Sequence, residues 1–258
     1  MSFNIEIIGL PASGKTYFYK YLIKILKRRK NIEIKSLKEA FVLDYINKKT
    51  KVHLLKKTIY SYYIKNIQVK SNFLFKKEYK DLNNFIKQSL KKNKYFFKII
   101  NLYNKYLNTS NYSKERKFRM IKNFEIEYLG ARSIPCKSGF SVFDEGFFQK
   151  IYINYQSNNN LNFSFKNQMN YLKLVPKPDL ILLFNTSIQT CLQRAKKRKD
   201  GFLYEINGIK YVKEGNYFNN SVIKYANDNK IPIFKLDGAK SLKTNINIFI
   251  KIIKNYKK

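Results

Sequence analysis

The chain has 258 residues, which is enough for one large α/β domain or for a core with an inserted subdomain. Its formal net charge is +35, because 52 Lys and Arg face only 17 Asp and Glu. One His and two widely separated Cys, Cys136 and Cys191, argue against a His or Cys metal cluster and a disulfide framework, so we expect free thiols in a reducing cytosol.

The positive charge has two explanations that the sequence leaves open. A basic surface attracts polyanions, so one explanation is a nucleic acid or an anionic membrane surface as partner. The other is codon composition, since Lys, Asn, Ile, Tyr and Phe are abundant and have A+T-rich codons. Lys outnumbers Arg by 45 to 7, which favours the second explanation because nucleic-acid sites use Arg where geometry matters.

The chain opens with a strand pattern and a glycine-rich loop. Residues 3–8 form a short apolar run that predicts a buried parallel strand. Residues 9–16 read Gly-Leu-Pro-Ala-Ser-Gly-Lys-Thr, the G-x-x-x-x-G-K-T pattern of a phosphate-binding loop. In such a loop the N–H groups surround a phosphate, Lys15 reaches the β- and γ-phosphates, and Thr16 ligates Mg²⁺. The residues expected to bind ATP with Mg²⁺ are Gly9, Pro11, Ala12, Ser13, Gly14, Lys15 and Thr16.

The next hundred residues differ in character. A helix and a strand at residues 31–35 are expected after the loop, but residues 37–129 contain neither Pro nor Gly and mix aromatic residues with lysines. We interpret residues 37–130 as a helical insertion that binds the acceptor, within a core made of residues 1–36 and 131–258. Between residues 48 and 122, 21 basic residues face three acidic ones. Such helices have aromatic core faces and solvated lysine faces, or they offer a stacking platform for single-stranded nucleic acid.

An acidic pair then follows a strand. Residues 139–144 predict a strand that ends in Asp144, and Glu145 comes next, ahead of a helix at residues 147–155. We expect Asp144 to ligate Mg²⁺ and Glu145 to accept the proton of an attacking hydroxyl. The alternative is that Asp144 is the base and Glu145 orders water around the metal.

Two arginines follow the next strand, which we expect at residues 179–184. Arg194 and Arg198 are four apart on a helix that Thr186 or Ser187 caps, and guanidinium groups match the charge that develops in phosphoryl transfer. An ordinary basic helix end is the alternative. Residues 201–215 are glycine-punctuated, which predicts a mobile loop, and a helix at residues 222–226, a strand at residues 231–236 and a closing helix come last. The alternation predicts a three-layer α/β fold, a parallel sheet flanked by helices, with its site at the carboxyl ends of the strands.

These motifs resemble the P-loop nucleotide kinase family, and the thymidylate kinase group in particular. The resemblance is carried by residues 9–16, the strand ending in Asp144, the strand at residues 179–184 with its two arginines, and residues 233–239. It implies that residues from about 194 to 215 form a lid, opened by Arg194 and Arg198. It also implies that Asp237, Gly238 and Ala239 pack around adenine, and it makes a dimer an open alternative.

The chain departs from that family at the acceptor site. Asp144-Glu145-Gly146 stands where the thymidylate kinases have an Asp-Arg pair and the deoxynucleoside kinases a Glu-Arg pair. The missing arginine weakens the case for an acceptor that already carries a phosphate. Arg132, just ahead of the acidic strand, is a candidate ligand for an anionic acceptor.

The patterns together favour a cytoplasmic, ATP-dependent phosphotransferase whose acceptor is a small hydroxyl or phosphate compound such as a nucleoside, nucleotide or sugar. One alternative is a nucleic-acid or modified-base kinase that uses the basic insertion. Another is a P-loop switch or binding module with slow hydrolysis. We expect neither a signal peptide nor a spanning helix, because the first apolar run is short and no apolar stretch reaches about 18 residues.

Overall fold

The chain forms two compact units. The structure, a computed structural model, describes residues 2–26, 37–48, 76–91, 93–108, 113–132, 139–144, 146–150, 165–197 and 206–256. Residues 3–34 and 139–258 make up one unit, here called the core unit. Residues 35–138, with the first two residues, make up the other, the helical unit. The expected strand at residues 31–35 lies outside the described residues.

Among its described residues, the core unit contains a four-stranded sheet flanked by helices. Its strands are β1 (Ser2–Gly9), β2 (Gly139–Asp144), β3 (Leu180–Asn185) and β4 (Ile233–Asp237), in the spatial order β2-β1-β3-β4. β3 pairs in parallel with both neighbours, so Gly9 lies opposite Phe184 and Asn185 lies opposite Asp237. The four strand predictions are confirmed to within two residues at each end. Parallel pairing brings the carboxyl ends of the strands, and the loops that follow them, to one edge.

The core of this unit lies between the sheet and two helices, α1 (Lys15–Leu26) and the last helix, Leu242–Asn255. Phe18 of α1 is at the centre, with ring centroids 5.2 Å from Phe184 and 6.1 Å from Phe249. On β3, alternate side chains belong to this cluster, and the intervening Ile181 and Leu183 are buried as well. A strand that is apolar on both faces is typical of a parallel sheet covered by helices on each side.

The helical unit contains four helices among its described residues. They are α2 (Leu37–Lys48), α3 (Lys76–Lys91), α4 (Lys94–Asn108) and α5 (Lys114–Arg132). α5 contacts each of the other three. Tyr103 stacks on Phe124 at 4.5 Å between centroids, and Asn93 caps α4 through Phe96 N–H while donating to Tyr128 Oη at 2.9 Å.

Among the described residues of this unit, the aromatic side chains mostly face inward, as expected for helices with aromatic core faces. Three stay exposed, with fractional exposures of 68% for Tyr95, 47% for Phe97 and 52% for Phe118. Five lysines and arginines of α5 lie within four residues of Phe118 in the sequence, and Lys122 Nζ is 5.8 Å from the centroid of that ring. Among the described residues, none of the helices is long and apolar enough to cross a membrane.

The other described helices of the core unit are α6 (Phe165–Leu174), α7 (Ile188–Lys197) and α8 (Ile206–Asp228), and the last helix, Leu242–Asn255, is α9. The prediction of a loop over residues 201–215 is wrong from residue 206 onward, because α8 begins there. Val212, Gly215, Phe218 and Val222 are buried at helical spacing, and α8 contacts α6 and α7. That burial offsets the cost of about 1 kcal/mol for each glycine in a helix. Residues 147–150 form a turn, and the rest of the helix expected there lies outside the described residues.

Candidate active site

The glycine-rich loop follows the central strand β1 and leads into α1. Its backbone takes left-handed conformations at Gly9 (φ 150°), Ala12 (φ 59°) and Gly14 (φ 108°). A Cβ on Gly9 would lie 2.9 Å from both the Cβ and the carbonyl oxygen of Phe184, so this position accepts only glycine. Ala12 takes the left-handed conformation at a cost of about 1 kcal/mol, a kind of strain that clusters at ligand sites.

Lys15 is folded into this loop. Its ammonium donates to Gly9 O at 2.8 Å and to Leu10 O at 2.9 Å, and the residue is only 6% exposed. α1 starts at this same residue, so the positive end of the helix dipole and the ammonium lie together. Phe18 N–H already bonds to Gly14 O at 3.0 Å, whereas the N–H groups just before it are those that a helix leaves for an anion.

A set of hydrogen bonds connects the loop to the residues that follow β3 and β4. Arg194 on α7 donates through Nη1 to Ser13 O at 3.0 Å and through Nη2 to Gly238 O at 2.7 Å. Thr186 Oγ1 also donates to Ser13 O, at 3.2 Å. Ser187, not Thr186, caps α7, since its hydroxyl accepts Thr190 N–H at 3.1 Å. Arg194 thus joins the loop to the segment after β4, and its predicted role on the transferred phosphate stays a prediction.

Hydrogen bonds hold the segment after β4, one within the segment and two with Asn245 of α9 and Asn185 at the end of β3. Asp237 Oδ1 accepts Ala239 N–H at 2.8 Å, Asp237 O accepts from Asn245 Nδ2 at 2.8 Å, and Gly238 N–H donates to Asn185 O at 3.1 Å. A Cβ on Gly238 would collide with Thr186 Oγ1 and lie 2.8 Å from Ser13 O. The residues expected beside adenine therefore adjoin the phosphate loop directly, and their contact with adenine stays a prediction.

The donors available for Mg²⁺ are a hydroxyl and a carboxylate. Thr16 is exposed in the first turn of α1, and Asp144 is half-buried at the carboxyl end of β2, the neighbour of β1. Hard oxygen donors of this kind fit Mg²⁺, which keeps several waters and uses one or two protein ligands beside the phosphates. The described residues contain no cluster of three or more His, Cys, Asp or Glu that would hold a metal alone.

A buried glutamine contacts the loop, and the sequence analysis missed it. Gly9 N–H donates to Gln149 Oε1 at 2.9 Å, and Gln149 Nε2 donates to Gly9 O at 3.2 Å. Gln149 N–H in turn donates to Glu6 Oε1 at 2.7 Å, and Glu6 is only 2% exposed in the middle of β1. The signal available in the sequence was this acidic residue inside an apolar run, between Ile5 and Ile7.

Several predicted site residues are not part of this arrangement. Glu145 and Arg198 lie outside the described residues, so their roles stay predictions. Arg132 is exposed at the end of α5, in the helical unit. Pro11 and Ala12, by contrast, belong to the arrangement, because they lie within the loop itself, where they are half-buried. The described site thus consists of the loop with Lys15, and Thr186, Arg194, Gly238 and Gln149 around it.

Cys191 lies beneath the site on α7 and is fully buried. Burial raises the pKa of its thiol from 9.0 to about 11, although the charges of Lys15 and Arg194 act in the opposite direction. The thiol is therefore neutral at physiological pH and is a packing residue, not a nucleophile.

Comparisons with known proteins give structural likenesses only. No family model matches the sequence, and no curated protein matches it. The fold is similar to a structure of deoxyadenosine kinase from M. mycoides with bound dCTP, at 16% identity and a TM-score of 0.44, over 98% of this chain and 99% of that one. It is also similar to a structure of deoxyadenosine kinase from M. mycoides with products dCMP and a flexible dCDP bound, at 14% identity and a TM-score of 0.39, over 98% and 99%.

Proposed function

We propose that this protein is an ATP-dependent, Mg²⁺-requiring phosphotransferase. The observation that supports it most is the loop at residues 9–16, which joins the end of a central parallel strand to the start of α1. Its glycine conformations and the inward ammonium of Lys15 are what binding a nucleoside triphosphate requires.

In this proposal the side chain of Lys15 changes its hydrogen-bond partners when a nucleotide binds. Lys15 Nζ leaves the carbonyl oxygens of Gly9 and Leu10 and donates to the β- and γ-phosphates instead. Ser13 Oγ is a second donor for a phosphate, because it is buried and has no hydrogen-bond partner among the described residues. Ser13 O is already used by Arg194 and Thr186, which keeps the loop in place during the exchange.

Thr16 and Asp144 would hold Mg²⁺, which on binding supplies positive charge against the phosphate oxygens. Glu145 is the proposed base for the acceptor hydroxyl, and Arg198 would join Arg194 near the transferred group. Asp237, Gly238 and Ala239 would contact the adenine. The acceptor is a small hydroxyl or phosphate compound, a nucleoside, nucleotide or sugar, with Arg132 as a candidate ligand.

A second candidate function, a nucleic-acid or modified-base kinase, is favoured by one observation. Tyr95, Phe97 and Phe118 expose large aromatic surfaces on helices that carry many lysines and arginines, as stacking sites for single strands do. This candidate requires that binding weakens steeply with salt, whereas transfer to a small acceptor would show only mild salt dependence.

The experiment is ATP consumption by the purified protein with Mg²⁺, against nucleosides, nucleoside monophosphates, sugars and single-stranded DNA. Lys15→Ala is the blank, because it removes the charge that the loop presents to the phosphates. We expect one acceptor class to stimulate ATP consumption and to yield a phosphorylated product. Slow hydrolysis that no acceptor changes would contradict a kinase and favour a P-loop switch.

A further inference from the structure

We propose that Gln149 and Glu6 are positioning residues of the phosphate site, which hold Gly9 in place while Lys15 changes partners. This inference rests on the proposed function, since it concerns the binding of a triphosphate in the loop. It concerns two buried side chains for which neither the loop motif nor the family resemblance indicates a role.

The first step concerns the two ends of Gly9. A carboxamide offers an acceptor and donors arranged as in a peptide group, and Gln149 uses both against the same residue. Gly9 is the last residue of β1, where the sheet ends and the loop begins. Gln149 therefore hydrogen-bonds both the N–H and the carbonyl oxygen of Gly9, as a residue of a neighbouring strand would. It does so where β2 has already ended with Asp144.

The second step concerns the two lone pairs of Gly9 O. This oxygen accepts from Lys15 Nζ at 2.8 Å and from Gln149 Nε2 at 3.2 Å. When Lys15 turns to the phosphates, the bond from Lys15 to Gly9 O is lost. Without Gln149, the carbonyl would then keep neither of these two bonds. The Gln149 bond remains, so the first residue of the loop keeps its orientation in both states.

The third step concerns what holds Gln149. Its N–H is fixed by the buried Glu6 carboxylate, and Lys150 N–H closes the turn by donating to Gly146 O at 3.2 Å. A Cβ on Gly146 would lie 2.5 Å from the Glu6 carboxyl carbon, so the turn approaches β1 this closely only with glycine. The turn at residues 146–150 is thereby held to β1 and, through Gln149, to the phosphate loop.

The test uses Gln149→Met, which keeps the size of the side chain and removes both hydrogen bonds to Gly9. Gln168→Met is the control, because Gln168 is also a fully buried glutamine of the core unit, on α6. We expect Gln149→Met to weaken Mg·ATP binding about tenfold relative to Gln168→Met, and to speed hydrogen exchange at the Gly9 amide. Unchanged Mg·ATP affinity in Gln149→Met would overturn the inference.

A second variant, Gln149→Glu, separates positioning from general stability. An ionised carboxylate has no donor for Gly9 O, whereas a protonated carboxyl has one donor and one acceptor, as the carboxamide does. We expect Mg·ATP affinity relative to wild type to be low at about pH 8, where the carboxyl is ionised, and to recover at about pH 5, where it is protonated. Burial and the adjacent Glu6 carboxylate favour the protonated form, and the Lys15 ammonium, which shares Gly9 O with this side chain, favours the ionised form. A ratio that does not change with pH would contradict the proposed role.

The two proposals fail in different ways. If the wild-type protein binds no nucleoside triphosphate, the proposed function is wrong. Hydrogen exchange at the Gly9 amide still reports the hydrogen bond between Gly9 and Gln149 in that case, because this measurement needs no nucleotide. If the wild type binds Mg·ATP and both Gln149 variants match it at every pH, only the positioning role is overturned.

Discussion

Replacing Arg194 by Met tests whether this residue is a brace, which holds the phosphate loop to the segment after β4, or a lid residue, which acts on the transferred phosphate. The guanidinium makes two charged hydrogen bonds, to Ser13 O at 3.0 Å and to Gly238 O at 2.7 Å, and it is half-buried. Losing hydrogen bonds to a charged group costs about 1.5–3 kcal/mol each, an upper value here because solvent reaches the group and Thr186 still donates to Ser13 O. We therefore expect a local loss of about 1–2 kcal/mol.

The measurement is hydrogen exchange of peptides that cover the phosphate loop and the segment after β4. Local exchange is preferable to global unfolding because the two units need not unfold together, and the chain has no Trp to report on either. A loss of about 1–2 kcal/mol corresponds to exchange that is about 5–30-fold faster in both peptides. Lys197→Met is the matched control, because it removes an exposed cation from the same end of α7 without touching the loop.

The result that would refute the brace is equal exchange in Arg194→Met and Lys197→Met. If phosphoryl transfer were nevertheless lost in Arg194→Met alone, Arg194 would act on the transferred group, as the family resemblance implies.

Two further predictions concern the residues around this brace. With Cys136→Ala as background, Cys191 should resist thiol reagents in the native protein and react only after unfolding. Because its folded pKa of about 11 lies above 9.0, its contribution to stability is present below about pH 9 and is lost as the pH rises toward 11; reactivity at neutral pH would contradict its burial. Gly238→Ala should cost about 1–3 kcal/mol through collision with Thr186, measured as a lower melting temperature than that of Lys240→Ala, and an equal melting temperature would refute it.

The parts of the fold that the sequence predicted depend on local patterns. The phosphate loop and the four strands are short, continuous motifs, and their apolar runs and glycines act within a few residues of each other. α8 was mistaken for a loop in its first ten residues because its glycines are breakers by propensity. Burial of Val212 and Phe218, a property of the folded unit, decides the matter instead.

The hydrogen bonds around the site depend on residues that are distant in sequence. Gln149 lies 140 residues from Gly9, and Arg194 lies 181 residues from Ser13. No spacing rule connects such pairs, so Arg194 was identified as a candidate without its partners, and Gln149 was not identified at all. Glu6 had a visible signal, a carboxylate in an apolar strand. The partner that explains its burial is Gln149 N–H, in a turn that follows β2 and is distant in sequence.

In the proposed function, the loop binds a nucleoside triphosphate through Lys15. The most direct measurement is equilibrium binding of ATP, ADP and AMP with Mg²⁺, to wild-type protein and to Lys15→Ala, with folding checked by circular dichroism. We predict that ATP and ADP bind at least about tenfold more tightly than AMP, because the loop encloses the β-phosphate, and that Lys15→Ala removes most of this difference. Equal affinity for all three nucleotides, or an unchanged preference in Lys15→Ala, would contradict binding of the β-phosphate by Lys15 and the loop.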